Sequence, residues 1–321
     1  MTRARWSWAA LPLLALGVAV TSRHARRLPR RIPPPGPVLP LPDGSTHTLL
    51  SGPPGAPPLL LIHGSDGVTL DWPLCPLWPL LDGAYLIAPD RPGHGYTPAR
   101  PGTPVTLELN VRRLTQLLDH LNVPQVTVLG HSYGAAVALA LAARHPERVS
   151  ALVLIAPLSH PARGLTRPLA FVPLVPGLEA LLTRALLLPV GRIVARIEGR
   201  RAFHPYPVPP LWHTLMLAFS RRRAQVHALA GENRTLSREL AALQPHYPAL
   251  TVPVTVLAGR QDRLSPPTQH ADLLTPLLPD ATQLDLPGGG HQLHWTHPHE
   301  VAGAVRAALG VASRASGPPD A

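Results

Sequence analysis

Residues 130–134 read Gly-His-Ser-Tyr-Gly, and no other pentapeptide in the chain restricts its fold as much. They follow an apolar run of strand character, Gln125–Leu129, and open an alanine-rich stretch that reads as a helix to Arg144. A Gly-x-Ser-x-Gly placed between a strand and a helix forms a sharp elbow. The turn lifts the Ser132 hydroxyl above the sheet and aims the following amide, that of Tyr133, at a negative charge developing in front of it. A plain glycine-rich turn is the alternative, and the flanking elements argue against it.

A serine hydroxyl attacks only once a base takes its proton, so a histidine and a carboxylate must follow. Pro287-Gly288-Gly289-Gly290-His291 supplies the base on a loop after the strand-like Thr282–Leu286. Gly259-Arg260-Gln261-Asp262 supplies the acid directly after Pro253–Ala258. The order Ser132, Asp262, His291 is the one this elbow uses. Asp280 and Asp285 lie before or inside the last strand and point less directly at the site. A turn-capping aspartate is the plain alternative for Asp262. His294, His297 and His299 are rivals to His291, but no i, i+4 His pair or acid cluster accompanies them, so no metal is expected.

Acyl transfer needs two N–H donors aimed at the oxyanion. Tyr133 offers one. The other is expected from Ser65 in His63-Gly64-Ser65-Asp66-Gly67, just after the first apolar strand. Asp90-Arg91-Pro92-Gly93-His94-Gly95-Tyr96 follows the next strand, and Asp90 and His94 read as loop-shaping rather than catalytic.

Around these motifs, short apolar runs alternate with helical patterns. Strands are expected at Leu59–His63, Ala84–Ala88, Gln125–Leu129, Ala151–Ala156, Pro253–Ala258 and Thr282–Leu286. Helices are expected at Thr106–Leu121, Ser132–Arg144, Pro267–Leu278 and His297–Leu309. Near-continuous apolar strands alternating with helices imply a mostly parallel sheet covered on both faces. The alternation breaks over 159–246, which reads as a helical cap inserted between two strands, with core at 43–158 and 247–312. Residues 313–321 read as a disordered tail. The single cysteine, Cys75, excludes an internal disulfide and a cysteine-built metal site.

All 29 basic residues are arginine, and the net charge is +11. Seven arginines and no acid fall in residues 1–31, and twelve arginines against four glutamates in 159–246. The remainder is acidic, with ten arginines against fourteen acids. No basic recognition motif with interleaved aromatics appears, so nucleic acid is not an expected partner.

Trp6–Ser22 carries no charge and is flanked by arginines on both sides. As a helix it would span about 25 Å, against a hydrocarbon core of about 30 Å. Snorkelling arginines and the interface-seeking Trp6 and Trp8 make residues 1–31 an expected single-pass membrane anchor, with a signal peptide as the alternative. The richer arginine flank then keeps the catalytic domain cytoplasmic; the signal-peptide alternative would make it secreted or periplasmic. Residues 32–42, Ile-Pro-Pro-Pro-Gly-Pro-Val-Leu-Pro-Leu-Pro, read as a stiff spacer. The cap's positive balance reads as a solvated face, or, on an anchored chain, as a face laid on anionic lipid.

Taken together, His63-Gly64-Ser65, Asp90-Arg91-Pro92-Gly93-His94-Gly95, Gly130-His131-Ser132-Tyr133-Gly134, Asp262 and His291 resemble the α/β-hydrolase fold superfamily over roughly residues 43–312. The resemblance implies an α/β fold with an eight-stranded, mostly parallel sheet and Ser-His-Asp hydrolysis without a cofactor. Within the superfamily the chain resembles the capped esterase, lipase, C–C hydrolase and cofactor-free haloperoxidase branches. It departs from haloalkane dehalogenases and epoxide hydrolases, whose elbow carries Asp where this chain has Ser132. The expected substrate is a small-molecule ester with an apolar acyl or alcohol group. C–C cleavage or perhydrolysis on the same residues is the alternative, and a membrane-bound binding module with an idle triad is the alternative of another class.

Overall fold

The computed structural model describes residues 27–99, 103–161, 195–220 and 222–315, with Ala19, Arg23 and Ile193 besides. Eight strands form one sheet: β1 Val38–Leu39, β2 Thr46–Ser51, β3 Pro58–Ile62, β4 Tyr85–Pro89, β5 Val126–His131, β6 Val149–Ile155, β7 Val254–Gly259 and β8 Ala281–Leu286. Their order across the sheet is β1-β2-β4-β3-β5-β6-β7-β8. The first two pairings are antiparallel, and every pairing from β4 to β8 is parallel.

The central strands are apolar because both of their faces are covered. On β3, Leu60 and Ile62 face one hydrophobic cluster while Leu59 and Leu61 face the other, the two-residue alternation of a pleated strand. The first cluster is closed by helices α1 Leu107–His120 and α2 Tyr133–Arg144. Thr106 caps α1, its hydroxyl accepting from Leu109 N–H at 3.1 Å. On the opposite face lie Leu293 and the helix Pro298–Ala315.

Between β6 and β7 the described residues form a helix over 195–203, α3 Pro210–Phe219 and α4 Arg223–Leu243. This is the expected helical insertion, and the apolar run 168–178 within it lies outside the described residues. The last of these helices belongs to the core as much as to a cap. Leu240 and Leu243 are buried in the main cluster, and Glu239 accepts from Leu107 N–H at 2.9 Å.

Several expectations are corrected. Residues 32–42 are not a free spacer, because Val38–Leu39 pairs with β2 and Leu41 is buried. The chain also joins the fold earlier than residue 43. Residues 27–31 are helical, and Leu28, 2% exposed, packs against Phe203, Trp212, Met216 and Phe219. Tyr96 Oη donates to Ile32 O beside it. The last helix runs to Ala315, past the expected start of the tail at residue 313, and residues 316–321 lie outside the described residues.

The single-pass membrane anchor is corrected as well. No described helix is long and apolar enough to cross a membrane. Trp6–Ser22 lies outside the described residues but for Ala19. Its calculated length already falls short of a hydrocarbon core by about 5 Å. Six residues beyond Ser22 the chain is buried at Leu28, which holds that flank against the protein. The lipid bilayer as partner, the membrane location with its cytoplasmic-facing domain, and a cap resting on anionic lipid all fall with the anchor.

Candidate active site

The elbow is built as a collision avoided. Gly134 sits against β3, where a Cβ would run into the carbonyl of Ile62, and a Cβ on Gly130 would lie 2.7 Å from Gly134 O. The two glycines serve close approach, and the left-handed backbone falls on the serine itself. Ser132 has φ 56° and ψ −115°, a conformation that L-residues rarely adopt. Its amide donates to Ile155 O at 2.9 Å, and its carbonyl accepts from Leu158 N–H at 3.2 Å. Ser132 is thereby tied to the ends of β6 and held at the floor of a cleft.

His291 enters this cleft from the loop after β8. Its Nδ1 is 2.7 Å from Asp262 Oδ2. The other carboxylate oxygen, Oδ1, accepts from Leu264 N–H at 2.7 Å and from Ser265 N–H at 2.9 Å. Burial pushes the Asp262 carboxyl upward, but the imidazole beside it and these hydrogen bonds outweigh that and hold it below the ordinary carboxylate range. The two loops are stitched together, since Gln261 N–H donates to Gly289 O at 2.8 Å. His291 N–H donates to Ala202 O at 3.1 Å, which docks the loop on the 195–203 helix.

Ser132 and His291 line the same cleft, and among the described residues no hydrogen bond joins the Ser132 hydroxyl to the imidazole. Such bonds are often long until substrate binds. Asp285 is placed elsewhere. It is 45% exposed on β8 and accepts from Arg260 Nη2 at 2.6 Å, with Asp272 on Nη1 at 2.8 Å. Of the other histidines, His294 Nε2 contacts Asp71 Oδ2 at 3.0 Å, and His297 Nδ1 contacts Thr296 Oγ1 at 2.8 Å.

Gly64 and Ser65 form the opposite lip of the cleft. A Cβ on Gly64 would lie 3.3 Å from Ser132 Cβ, so this loop runs directly past the elbow. The Tyr133 side chain points away into the core, fully buried beneath the guanidinium of Arg91, 4.5 Å from its ring centre. Asp90 braces neighbouring loops through His47 Nδ1 at 2.6 Å, Thr69 N–H at 2.7 Å and Tyr96 N–H at 2.8 Å.

Residues that the motifs did not single out complete the cleft. Ala202, Trp212, Met216 and Leu264 give it an apolar wall, while Asp71 and Glu198 join Asp66 in its lining. Asp71 is pinned by His294 and by Trp295 Nε1 at 3.0 Å. Glu198 Oε2 is buried without a hydrogen-bond partner among the described residues. No spacing rule links residue 71 with 294, or 198 with 132. In the sequence Glu198 is one of four scattered glutamates among twelve arginines in 159–246.

Residues 57–298 match the family model described as alpha/beta hydrolase fold. A 2-hydroxymuconate semialdehyde hydrolase of Pseudomonas putida is 30% identical over 249 residues, 74% of this chain and 81% of that protein. The magnesium-chelatase 30 kDa subunit of Rhodobacter capsulatus is 30% identical over 271 residues, 79% of this chain and 87% of that protein. Among solved structures, a 2-hydroxy-6-oxo-6-phenylhexa-2,4-dienoate hydrolase from a Rhodococcus strain superposes with TM-score 0.68 at 20% identity, covering 84% of this chain and 96% of its own. That identity is low enough that the superposition speaks for the fold alone. The match over most of the chain, together with the sheet order and the strained serine at its centre, makes this protein a member of the alpha/beta hydrolase fold family.

Proposed function

We propose that the protein is a serine hydrolase that cleaves a carboxylic ester through an acyl-enzyme on Ser132. The observation that carries this reading is the Asp262–His291 pair set beside a serine in a strained elbow at one cleft. His291 takes the Ser132 proton as the hydroxyl attacks the ester carbonyl, and Asp262 holds the imidazole with its Nδ1–H toward the carboxylate. The negative oxygen of the tetrahedral intermediate is met by the amides of Ser65 and Tyr133. His291 then protonates the departing alcohol, and a water activated the same way releases the acid.

The lining supports an uncharged substrate with an apolar group. Trp212, Met216 and Leu264 offer apolar surface, and the described lining holds three carboxylic acids and no arginine. Carbon–carbon cleavage would use the same residues. A muconate-type substrate, however, brings a carboxylate into a lining with no cation among the described residues. A second reading, an accessory subunit that binds in the cleft without cleaving, draws on the Rhodobacter relative, which aligns over more of both chains than the Pseudomonas hydrolase.

One experiment separates these readings. Purified protein is exposed to a fluorophosphonate and to p-nitrophenyl esters of graded chain length, beside Ser132→Ala. Labelling and turnover in wild type, both lost in Ser132→Ala with turnover down by roughly 10⁴–10⁶, are the expected result. Turnover that survives in Ser132→Ala ends the acyl-enzyme mechanism. A wild type that is neither labelled nor active favours the accessory reading.

A further inference from the structure

The peptide joining Gly64 to Ser65 is gripped along one edge. Its carbonyl oxygen, Gly64 O, lies 2.9 Å from Arg91 Nη2 and 2.9 Å from His63 Nδ1. Both are donors. The backbone N–H of Arg91 points at His63 Nε2 at 3.0 Å, so Nε2 accepts and Nδ1 carries the ring proton. A peptide group is planar and trans, so fixing its C=O fixes its N–H on the opposite edge. That N–H belongs to Ser65. The next carbonyl, Ser65 O, is held by His94 Nε2 at 2.7 Å, and His63 O by Arg91 Nε at 3.1 Å. Three consecutive carbonyls are therefore turned toward the Arg91 loop, away from the cleft that Gly64 and Ser65 line.

Arg91 does not reach this position unaided. It is 2% exposed, and a guanidinium so buried needs a counter-charge. The charge comes from Glu232, 1% exposed on α4, which is paired with Arg91 Nη1 and lies 3.4 Å from Nη2. The face of Tyr133, the residue after the elbow serine, packs against the same guanidinium. One cation thus touches the backbone of the Gly64–Ser65 strip and the side chain of Tyr133, the residue that follows the elbow serine.

We propose that Arg91, held by Glu232, is the positioning residue of the oxyanion pocket. It orients the Gly64–Ser65 peptide so that the Ser65 N–H meets the tetrahedral intermediate, and it makes that orientation depend on a helix of the insertion. The inference rests on the reading of Ser132 as nucleophile. The Ser65 amide then acts in the transition state and not in substrate binding, which separates this role from simple support of the fold.

The test uses the full chain with Glu232→Gln, Arg91→Lys and Arg91→Met. Turnover of a p-nitrophenyl ester is measured along with inhibition by a trifluoromethyl ketone, whose adduct with the serine places a negative oxygen where the intermediate would have it. Loss of an oxyanion donor costs on the order of 10²–10³ in kcat. Arg91→Met is expected to approach that loss with KM within about threefold, and its inhibition constant rises in parallel with the fall in kcat/KM. Glu232→Gln and Arg91→Lys fall between it and wild type. Tyr247→Phe, which removes a buried hydrogen bond to Ser159 O and leaves the Arg91 contacts in place, lowers Tm and leaves the inhibition constant unchanged. If Arg91→Met does not fold, the two milder variants decide, because each keeps the shape of the pair. Variants that fold and bind the ketone as wild type does overturn the inference alone. A wild type that neither turns over the ester nor binds the ketone overturns the serine-nucleophile reading and this inference with it.

Discussion

At the scale of single residues, Ser132 carries its strain in the backbone. Its φ of 56° is imposed by the packing of Gly130 and Gly134 against β3 and α2, and its side chain makes no hydrogen bond that holds the turn. Alanine would occupy the same backbone conformation at similar cost, so Ser132→Ala should keep its Tm within a few degrees while losing activity. Asp262→Asn should lower turnover by about 10⁴, because the amide oxygen stays with the Leu264 and Ser265 N–H groups and leaves the NH2 to donate to His291 Nδ1, which forces the ring into the wrong tautomer. Asp285→Asn should stay within a few-fold of wild type, since its carboxylate is spent on Arg260 at the surface. Steady-state kinetics on the two variants, run side by side, checks the assignment; the reverse pattern would move the acid to β8. These residues were legible because each stands at or just beyond the end of an apolar strand, where the motif and the strand boundary coincide. Arg91 and Glu232 were not, because 141 positions separate them and only the folded chain brings them together.

At the scale of elements, the five strands β3 to β7 announced themselves through apolar runs because each is buried on both faces, whereas β8, at the sheet's end, alternates between half-buried and exposed residues. β2 did not announce itself. Its sequence, Thr-His-Thr-Leu-Leu-Ser, looks like solvated loop, yet Thr46, His47 and Thr48 are buried. His47 is held by partners far along the chain, its Nδ1 by Asp90 and its backbone N–H by Thr97 Oγ1 at 2.9 Å, while the Thr46 and Thr48 hydroxyls are buried without a hydrogen-bond partner among the described residues. The expected helix Pro267–Leu278 is instead three short turns, at Pro267–Gln269, Ala271–Leu274 and Thr275–Leu277. Pro276 lacks the N–H that a continuous helix would use. The segment read as an anchor flank proved to be packing. Leu28→Ala removes a side chain buried among Phe203, Trp212, Met216 and Phe219, so a loss of about 2–5 kcal/mol is expected in urea unfolding. A flank that only trails from the domain would show none. Glu232→Ala, which strands Arg91 without a counter-charge, should cost about 3–5 kcal/mol by the same measurement.

At the scale of the whole molecule, the histidines set a pH response. Burial is the main reason that His63, His94 and His131 stay neutral well below their ordinary range, helped by Arg91 beside the first two and by His294 and His291 beside the third. In the unfolded chain each takes up a proton near the ordinary pKa of 6.5, whereas in the folded protein it does not. Stability is unaffected above that pH and falls below it, by about 1.4 kcal/mol per pH unit for each group and about 4 for the three together. Asp262 acts lower on the scale. Its depressed folded pKa contributes stability above the unfolded carboxylate pKa of 3.8, and that contribution is lost as pH falls toward the folded value. Urea midpoints measured from pH 7.5 to 5.5 should be level at first and then drop steeply. A flat profile down to pH 5.5 would mean that the three rings titrate in the folded state as they do in the unfolded chain.

The two-residue strand at one of the sheet's two borders has a consequence for crowded solution. An open border of a β-sheet invites a strand from another molecule, which can extend the sheet without limit. Here the outermost strand is only Val38–Leu39, with Pro37 before it and Pro40 after it. Neither proline has an N–H to offer, so a passing chain finds no run of donors long enough to align with. The proline-rich stretch that resembles a hinge therefore works as a selvedge, the finished margin that keeps a woven cloth from being taken up into the next piece.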